Sequence, residues 1–230
     1  MKFADDMALV VRLQDEKSLA EYFLQLDLLN SWFKESFLDL NISKTKELVF
    51  DSRKEKEPFI PVTTDQQPVE EVSSFKYLGT VVDSKFSFND NVVYVYKKAQ
   101  KRLYLLRKLR SFGVGSHDLK PVYRCLVENV LSFNIVTWYG NLSVKNRARL
   151  ARVVHTASTI IGAKQKQLCD LYHLSVCRKS VSILHDKTHP LNFCFQHLPS
   201  GRRLKVPLAK KNVYKKSFIP TVVSVLNKEF

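Results

Sequence analysis

The sequence predicts an α+β fold in which short strands and one long helix precede a largely helical region. Apolar residues form short strand-like runs and one long helical run up to residue 88, and from residue 89 they recur every three or four residues. The charge also changes sign along the chain. Residues 1–93 hold 11 Lys and Arg against 17 Asp and Glu, whereas residues 94–230 hold 26 against 5. We therefore expect the two parts to have different tasks.

The first elements are a hairpin and a long helix. Residues 3–13 predict two strands joined by a tight turn at Asp5-Asp6, with the second strand continuing to residue 13. Helical spacing predicts a helix over residues 16–40, and Asn41 is expected to end it because Asn tolerates the left-handed conformation after a helix. The apolar positions of this helix are Leu19, Tyr22, Phe23, Leu26, Leu29, Phe33, Phe37 and Leu40.

Short strands and a loop follow that helix. The run KELVF at 46–50 predicts a strand, and residues 73–88 predict a hairpin or a bulged strand around Gly79. Residues 51–68 are charged and rich in proline, so they predict a loop with at most a short strand. The prolines of this loop are Pro58, Pro61 and Pro68.

Helices dominate the rest of the chain. From Pro190 onward four prolines leave room for only one short carboxy-terminal helix. The predicted helices run from a cap at Asn89 or Asn91 to Ser111, from Ser116 toward Trp138, and from Ser143 to Gly162, with two short ones at 164–174 and 176–186.

The basic second part favours a polyanionic partner, and nucleic acid in particular because aromatic residues lie among the basic ones. On the helix that begins near residue 89, Val92, Tyr96, Ala99, Leu103 and Leu106 share one face, and Lys97, Lys101 and Lys108 share another. The helix that follows Ser143 clusters Lys145, Arg147, Arg149 and Arg152 at its start, and Arg202 and Arg203 add charge near the end. A solvated basic surface and an acidic protein partner are the alternatives.

Composition excludes several classes of protein. No apolar run approaches the roughly 18 residues of a membrane-spanning helix. The amino-terminal apolar run is interrupted by Asp5 and Asp6, which is not a signal-peptide pattern. The four cysteines fit a reduced compartment at least as well as a disulfide scaffold. We expect an intracellular protein of the nucleus or cytoplasm that is neither secreted nor bound to a membrane.

Five motifs, in order, resemble the reverse transcriptase of non-LTR retrotransposons (long interspersed elements, LINE). FADDMALVV resembles the metal-binding hairpin of the palm, and LNSWFKESFLDLNISKTKELVF at 29–50 is similar to the next palm motif. FKYLGTVVD at 75–83 resembles the primer-grip hairpin. KKAQKRLYLLRKLRSFGV at 97–114 is similar to the start of the thumb, and LPSGRRLKVP with YKKSFIPTVVSVLN resembles the tail.

The resemblance implies roles for particular residues. Asp5 and Asp6 match the carboxylates that bind Mg²⁺, a hard ion that prefers carboxylate oxygens, and Asp5 matches the direct ligand. Lys44 matches the palm lysine that orients or protonates the leaving pyrophosphate. The primer-grip hairpin is matched by Tyr77, Leu78 and Gly79.

The chain departs from the family because only four residues precede Asp5, whereas the family draws a third carboxylate and the fingers from earlier segments. Two carboxylates do not make a two-metal site. We therefore expect a fragment of an RNA-directed DNA polymerase, with a partial palm at 1–88, a helical thumb at 89–140 and a basic helical tail at 141–230. It is expected to bind RNA and DNA as template–primer without sequence preference and not to polymerise alone. Whether it is an enzyme, and its oligomeric state, stay open.

A second resemblance covers a shorter stretch. Residues 92–140 are similar to a segment at the amino terminus of alkylated-DNA-repair (AlkB) homologue proteins, which implies a methyltransferase or an iron-dependent dioxygenase. That dioxygenase site needs a His-x-Asp pair, but His117-Asp118 and His185-Asp186 have no spacer residue. We interpret the similarity as a shared helical segment. A degenerate gene product without activity is a further alternative.

A zinc site is not predicted. The spacing Cys169-x7-Cys177-x7-His185-x3-His189 differs from that of zinc sites, whose paired cysteines lie about two to four residues apart. Cys169 and Cys177 are expected to be small core residues, and the histidines ordinary polar positions. Trp32 and Trp138 are expected to be core aromatics.

Overall fold

A computed structural model describes residues 2–51, 53, 62–64 and 67–229, with the side chain of residue 229 left out. The protein is mostly helical, with 56% helix and a few short two-stranded sheets. This confirms the α+β class in a mainly helical form. The chain divides into two compact units, unit 1 over Met1–Gly79 and unit 2 over Thr80–Phe230.

The amino-terminal hairpin of unit 1 is shorter than the sequence predicts. Strands β1 (Lys2–Phe3) and β2 (Asp6–Met7) pair antiparallel, with Phe3 opposite Asp6. The turn lies at Ala4-Asp5, where Ala4 takes a φ of 52°, and not at Asp5-Asp6. The strand stops at Met7, so the predicted continuation to residue 13 is wrong.

Helix α1 spans Glu16–Glu35 and has a well-defined cap at each end. At its start the Asp15 carboxylate accepts a hydrogen bond from the Ser18 amide at 2.8 Å, and the Ser18 hydroxyl oxygen accepts one from the Asp15 amide at 3.1 Å. At its end Phe37 is left-handed, with a φ of 54°, and the Leu38 amide donates to the Phe33 carbonyl at 2.9 Å. Helix α1 therefore ends before the predicted Leu40, without Asn41.

The remaining short strands of unit 1 form two pairs. β3 (Lys46–Glu47) runs parallel to β6 (Glu70–Glu71), and β4 (Thr63–Thr64) runs antiparallel to β5 (Gln67–Pro68). The predicted strand at 46–50 is thus only two residues long. Pro58 and Pro61 of the predicted loop lie outside the described residues.

Two like charges meet in the parallel pair, because Glu47 is directly opposite Glu71. Burial raises the pKa of the Glu47 carboxyl, and the negative charge of Glu71 raises it further. Hydrogen bonds from the Val62 backbone and from the Tyr22 hydroxyl, the latter at 3.3 Å, lower the pKa of Glu47 in opposition. Burial raises the pKa of Tyr22 itself to about 12. Ionisation of Glu47 therefore lowers the free energy of unfolding of unit 1.

Replacing Glu71 by glutamine should lower the pKa of Glu47, because it removes the like charge beside it. A raised carboxyl pKa means that stability is lost as the pH rises above the unfolded value of about 4.3. The loss between about pH 4 and about pH 7 should therefore be smaller in Glu71→Gln than in the wild type. Carboxyl-carbon NMR titration measures the pKa of Glu47, and urea unfolding at several pH values measures the loss of stability. An unchanged Glu47 titration would refute the assignment.

A strand and turn close unit 1, and a strand opens unit 2. β7 covers Ser74–Tyr77 and β8 covers Thr80–Asp83, with Leu78-Gly79 between them. Leu78 and Gly79 have φ values of 44° and 83°, the two positive values that a type I′ hairpin turn requires. The strand–turn–strand order predicted around Gly79 is confirmed.

The start of helix α2 (Asn89–Ser111) in unit 2 is organised by Asp83 and not by an Asn cap. One Asp83 oxygen accepts from the Phe88 amide at 2.5 Å, and the other accepts from the Ser87 amide at 3.0 Å. Asn91 is buried, and its side-chain oxygen accepts from the Val81 amide at 3.1 Å. The predicted cap at Asn89 or Asn91 is wrong, although the predicted end at Ser111 is confirmed.

The predicted helix from Ser116 to Trp138 is interrupted. It consists of α3 (Ser116–Tyr123), a π-helical turn (Arg124–Glu128), α4 (Asn129–Ser132) and α5 (Ile135–Trp138). Asn134 breaks the helix with a φ of 48°, and its side-chain amide donates to the Thr80 hydroxyl at 3.1 Å. The Trp138 indole donates to the Phe133 carbonyl at 2.9 Å, which satisfies an acceptor freed by the break.

Two long helices complete the core of unit 2. α6 spans Val144–Ile161, with the predicted Ser143 and Gly162 at its ends. α7 spans Leu168–His185, so the two short helices predicted at 164–174 and 176–186 are one helix. A single buried cluster extends from Phe88 to Leu226 and includes residues of both the predicted thumb and the predicted tail.

The last segment contains little regular structure before its final helix. His197 and Leu204 form an isolated bridge, and Leu204 exchanges two hydrogen bonds with the Asn227 side chain. α8 (Asn212–Lys215) is one turn long, and α9 (Phe218–Glu229) is the predicted carboxy-terminal helix. Over the described ranges, no helix has the length and apolar character that crossing a bilayer requires.

Candidate nucleic-acid interface

Helix α2 buries one face and presents a line of lysines on the opposite one. Val92, Ala99, Leu103 and Leu106 are fully buried. Lys97, Lys101 and Lys108 are exposed and form no ion pair with any part of the chain that the structure describes. Their spacings of four and seven residues place them on one side of the helix. We call these three residues the lysine stripe.

Helix α6 adds basic residues beside α2. The Asn146 side-chain amide donates to the Asn89 side-chain oxygen at 2.7 Å, so the first turns of the two helices are in contact. The Arg149 guanidinium lies 4.1 Å from the centre of the Tyr96 ring, next in sequence to Lys97. Arg149 is held on the aromatic face by a cation–π contact, and Arg152 is exposed one turn further on.

Arg147 points into the protein. Its Nη2 donates to the carbonyls of Tyr139 and Gly140 at 3.3 and 2.9 Å, and its guanidinium lies 5.0 Å from the Tyr139 ring centre. Its Nε is buried and has no hydrogen-bond partner among the described residues. These contacts tie α6 to the 3₁₀ turn at Tyr139–Asn141. The geometry therefore favours a structural role for Arg147 over the phosphate contact that the sequence predicts.

Exchanging Arg147 for methionine tests this assignment. We expect the free energy of unfolding to fall by about 1–3 kcal/mol, since two carbonyls lose their charged donor. The duplex affinity of the folded protein should change by less than about twofold, because Arg147 contributes no phosphate contact. Arg152→Met is the matched control, and it should weaken binding with little effect on urea unfolding. The reverse pattern would place Arg147 in the interface.

Arg202 and Arg203 form a separate basic site. Both are exposed in the loop that the His197–Leu204 bridge closes, and the Arg203 carbonyl accepts from the Leu198 amide at 2.8 Å. The Asn227 side chain anchors this loop to α9. The structure gives no contact between this loop and the lysine stripe, so it does not join the two into one surface.

Among the described residues, the predicted polymerase residues are not part of any metal-binding group. Asp5 and Asp6 are exposed on the first hairpin, and Lys44 is exposed in a turn where its amide donates to the Asn41 side chain at 3.1 Å. Within the residues described, no three His, Cys, Asp or Glu side chains cluster closely enough to hold a metal ion. Two adjacent carboxylates are only part of the donor set of Mg²⁺. The donors present do not fit a two-metal site.

The predicted primer-grip residues occupy a turn. Tyr77 ends β7 and is half-buried, and Leu78-Gly79 forms the positive-φ turn that follows. Their contact with a primer stays a prediction.

Burial decides the four predictions of core residues. Trp138 is 1% exposed and confirms its predicted core position, whereas Trp32 is 41% exposed, so its predicted core position is wrong. Cys169 is exposed on the first turn of α7, so its predicted core role is wrong, and Cys177 is half-buried. Nδ1 of His189 accepts from the Leu191 amide at 3.1 Å, and Nδ1 of His185 lies 2.9 Å from the Val181 carbonyl oxygen.

Comparison with known proteins returns no matching family model, no matching curated protein and no matching solved structure. The resemblances described in the sequence analysis therefore stay predictions.

Proposed function

We propose that the protein binds the phosphate backbone of nucleic acid through the lysine stripe, with Arg149 and Arg152 beside it. The observation that carries the proposal is the exposure of three lysines in a line, without an acidic partner in the described chain, directly opposite the buried face of α2. A cation that forms no internal ion pair keeps its full charge for an external ligand, and a helix holds such cations at fixed spacings. They attract phosphates whatever the base sequence.

We infer further that the natural ligand is a template–primer of RNA and DNA. The ordered motifs of the sequence, from the Asp5-Asp6 hairpin to the thumb-like helix α2, support this inference. Because the described residues bring no three carboxylate, His or Cys side chains together for metal-assisted phosphoryl transfer, the activity that we propose is binding. Asp5 and Asp6 would hold Mg²⁺ only together with ligands from elsewhere.

Fluorescence anisotropy with a labelled RNA–DNA duplex tests the binding proposal. If three or more phosphates are neutralised, the affinity should fall by at least about 40-fold between about 0.05 and 0.2 M salt. Duplexes of scrambled sequence should bind equally well. An affinity that does not depend on salt would refute the proposal.

Primer extension with Mg²⁺ tests the absence of polymerase activity. We expect the isolated chain to leave a primed RNA template unextended. Extension by the isolated chain would show that it completes a metal site, and the inference of a binding-only protein would be wrong.

A further inference from the structure

Two exposed aromatic residues lie on the same side of α2 as the lysine stripe. Tyr104 is 56% exposed and Phe112, which caps the helix, is 77% exposed. Lys97, Lys101, Tyr104, Lys108 and Phe112 follow one another at spacings of four, three, four and four residues, so the five form one line. Neither aromatic ring is in contact with another ring or cation within the described chain.

The position of these rings has no explanation in the packing of unit 2. The buried side of α2 already carries Leu103 and Leu106, the neighbours of Tyr104 that face the core. Covering exposed aromatic area with a ligand is favourable, and the two rings stand in line with three lysines, so they are candidates for ligand contact. Aromatic rings that alternate with lysines along a groove or ridge are the arrangement that binds single strands, in which the bases stack and the cations contact the phosphates.

We propose that the outer face of α2 binds single-stranded nucleic acid, with one base stacked on Tyr104 and another on Phe112. The inference rests on the proposed function, because the lysine stripe supplies the phosphate contacts. The two rings are about 12 Å apart along the helix, so they contact different bases of one strand. A paired base has both faces covered within the duplex, so these stacking contacts are specific to unpaired bases.

An anionic membrane surface is the other partner that attracts basic helices. That mode needs a broad apolar face that enters the lipid, and the apolar face of α2 is buried in the core of unit 2. The outward side carries Tyr104 and Phe112 among the lysines, with Leu105 as one further apolar side chain that is 48% exposed, which is less than a broad apolar face. The observations therefore favour an unpaired strand.

Three labelled probes of equal length test the proposal: oligo(dT), an abasic deoxyribose-phosphate strand and a DNA duplex. The wild type should bind oligo(dT) at least about fivefold more tightly than the abasic strand. Tyr104→Ala and Phe112→Ala should each remove much of this difference and leave duplex binding unchanged. Tyr104→Phe should retain it, and Phe193→Ala, at an equally exposed ring on another segment, should have no effect.

The outcomes separate the two proposals. If the wild type binds the duplex and the abasic strand as well as oligo(dT), with salt dependence intact, the stacking proposal fails while phosphate binding stands. If no probe binds at low salt, both fail. Binding to phosphatidylserine vesicles without binding to oligo(dT) would also overturn the proposal. Both aromatic side chains are exposed, so circular dichroism melts of the variants should match the wild type.

Discussion

Replacing Lys97, Lys101 and Lys108 together by glutamine is expected to weaken duplex binding roughly 500-fold at about 0.1 M salt. Each neutralised phosphate releases counterions that contribute close to a factor of ten in affinity at that salt concentration, and glutamine retains the side-chain length without the charge. The variant should fold normally, since all three side chains are exposed on the face opposite the core. Fluorescence anisotropy with the labelled duplex measures the change.

The control variant removes the same charge from another part of unit 2. Lys164, Lys166 and Lys187 are exposed and lie outside α2 and α6. Their combined exchange for glutamine should weaken binding far less than the stripe variant does. If both triple variants lose affinity to the same extent, net charge would explain the binding and the lysine stripe would have no special role.

Truncating Trp138 to alanine is expected to destabilise unit 2 by about 3–5 kcal/mol. The side chain is 1% exposed, its indole donates to the Phe133 carbonyl at 2.9 Å, and its ring meets Tyr139 edge-on at 6.0 Å between centroids. The truncation leaves a cavity and an unsatisfied carbonyl at the helix break. Urea unfolding followed by circular dichroism gives the magnitude.

Trp138→Phe separates the contribution of ring packing from that of the hydrogen bond to Phe133. Phenylalanine keeps most of the ring packing but removes the donor to Phe133, so the cost should be about 1–3 kcal/mol. A cost below about 1 kcal/mol for the alanine variant would show that Trp138 is not a core residue of unit 2.

The helices that the sequence predicts well are those whose own residues define them. In α2 the buried Val92, Ala99, Leu103 and Leu106 repeat at helical spacing, and α6 has Ser143 and Gly162 as local signals for its ends. The interruption at Asn134 depends instead on Thr80, which is 54 residues away and invisible to a local pattern. The sequence pattern predicts two short helices in place of α7, although Ser175, the residue between them, does not break a helix.

The sequence likewise predicts those parts of the candidate interface that depend on local helical spacing, and not those that depend on distant residues. The exposure of Lys97, Lys101 and Lys108 follows from the apolar stripe opposite them. Tyr104 lies three residues after Lys101, so helical spacing also places it on the exposed side. The inward position of Arg147 does not follow from any pattern, because it depends on the carbonyls of Tyr139 and Gly140. The metal site implied for Asp5 and Asp6 needs ligands that the described residues do not bring together.

The salt dependence of binding to a DNA duplex, compared between the wild type and the Lys97/Lys101/Lys108→Gln variant, tests phosphate contact by the stripe most directly. Each lost phosphate contact reduces the slope of log K against log salt concentration by about 0.9. We predict that the slope is shallower by about 2.7 in the variant. Equal slopes for the two proteins would contradict the account, even if their affinities differ.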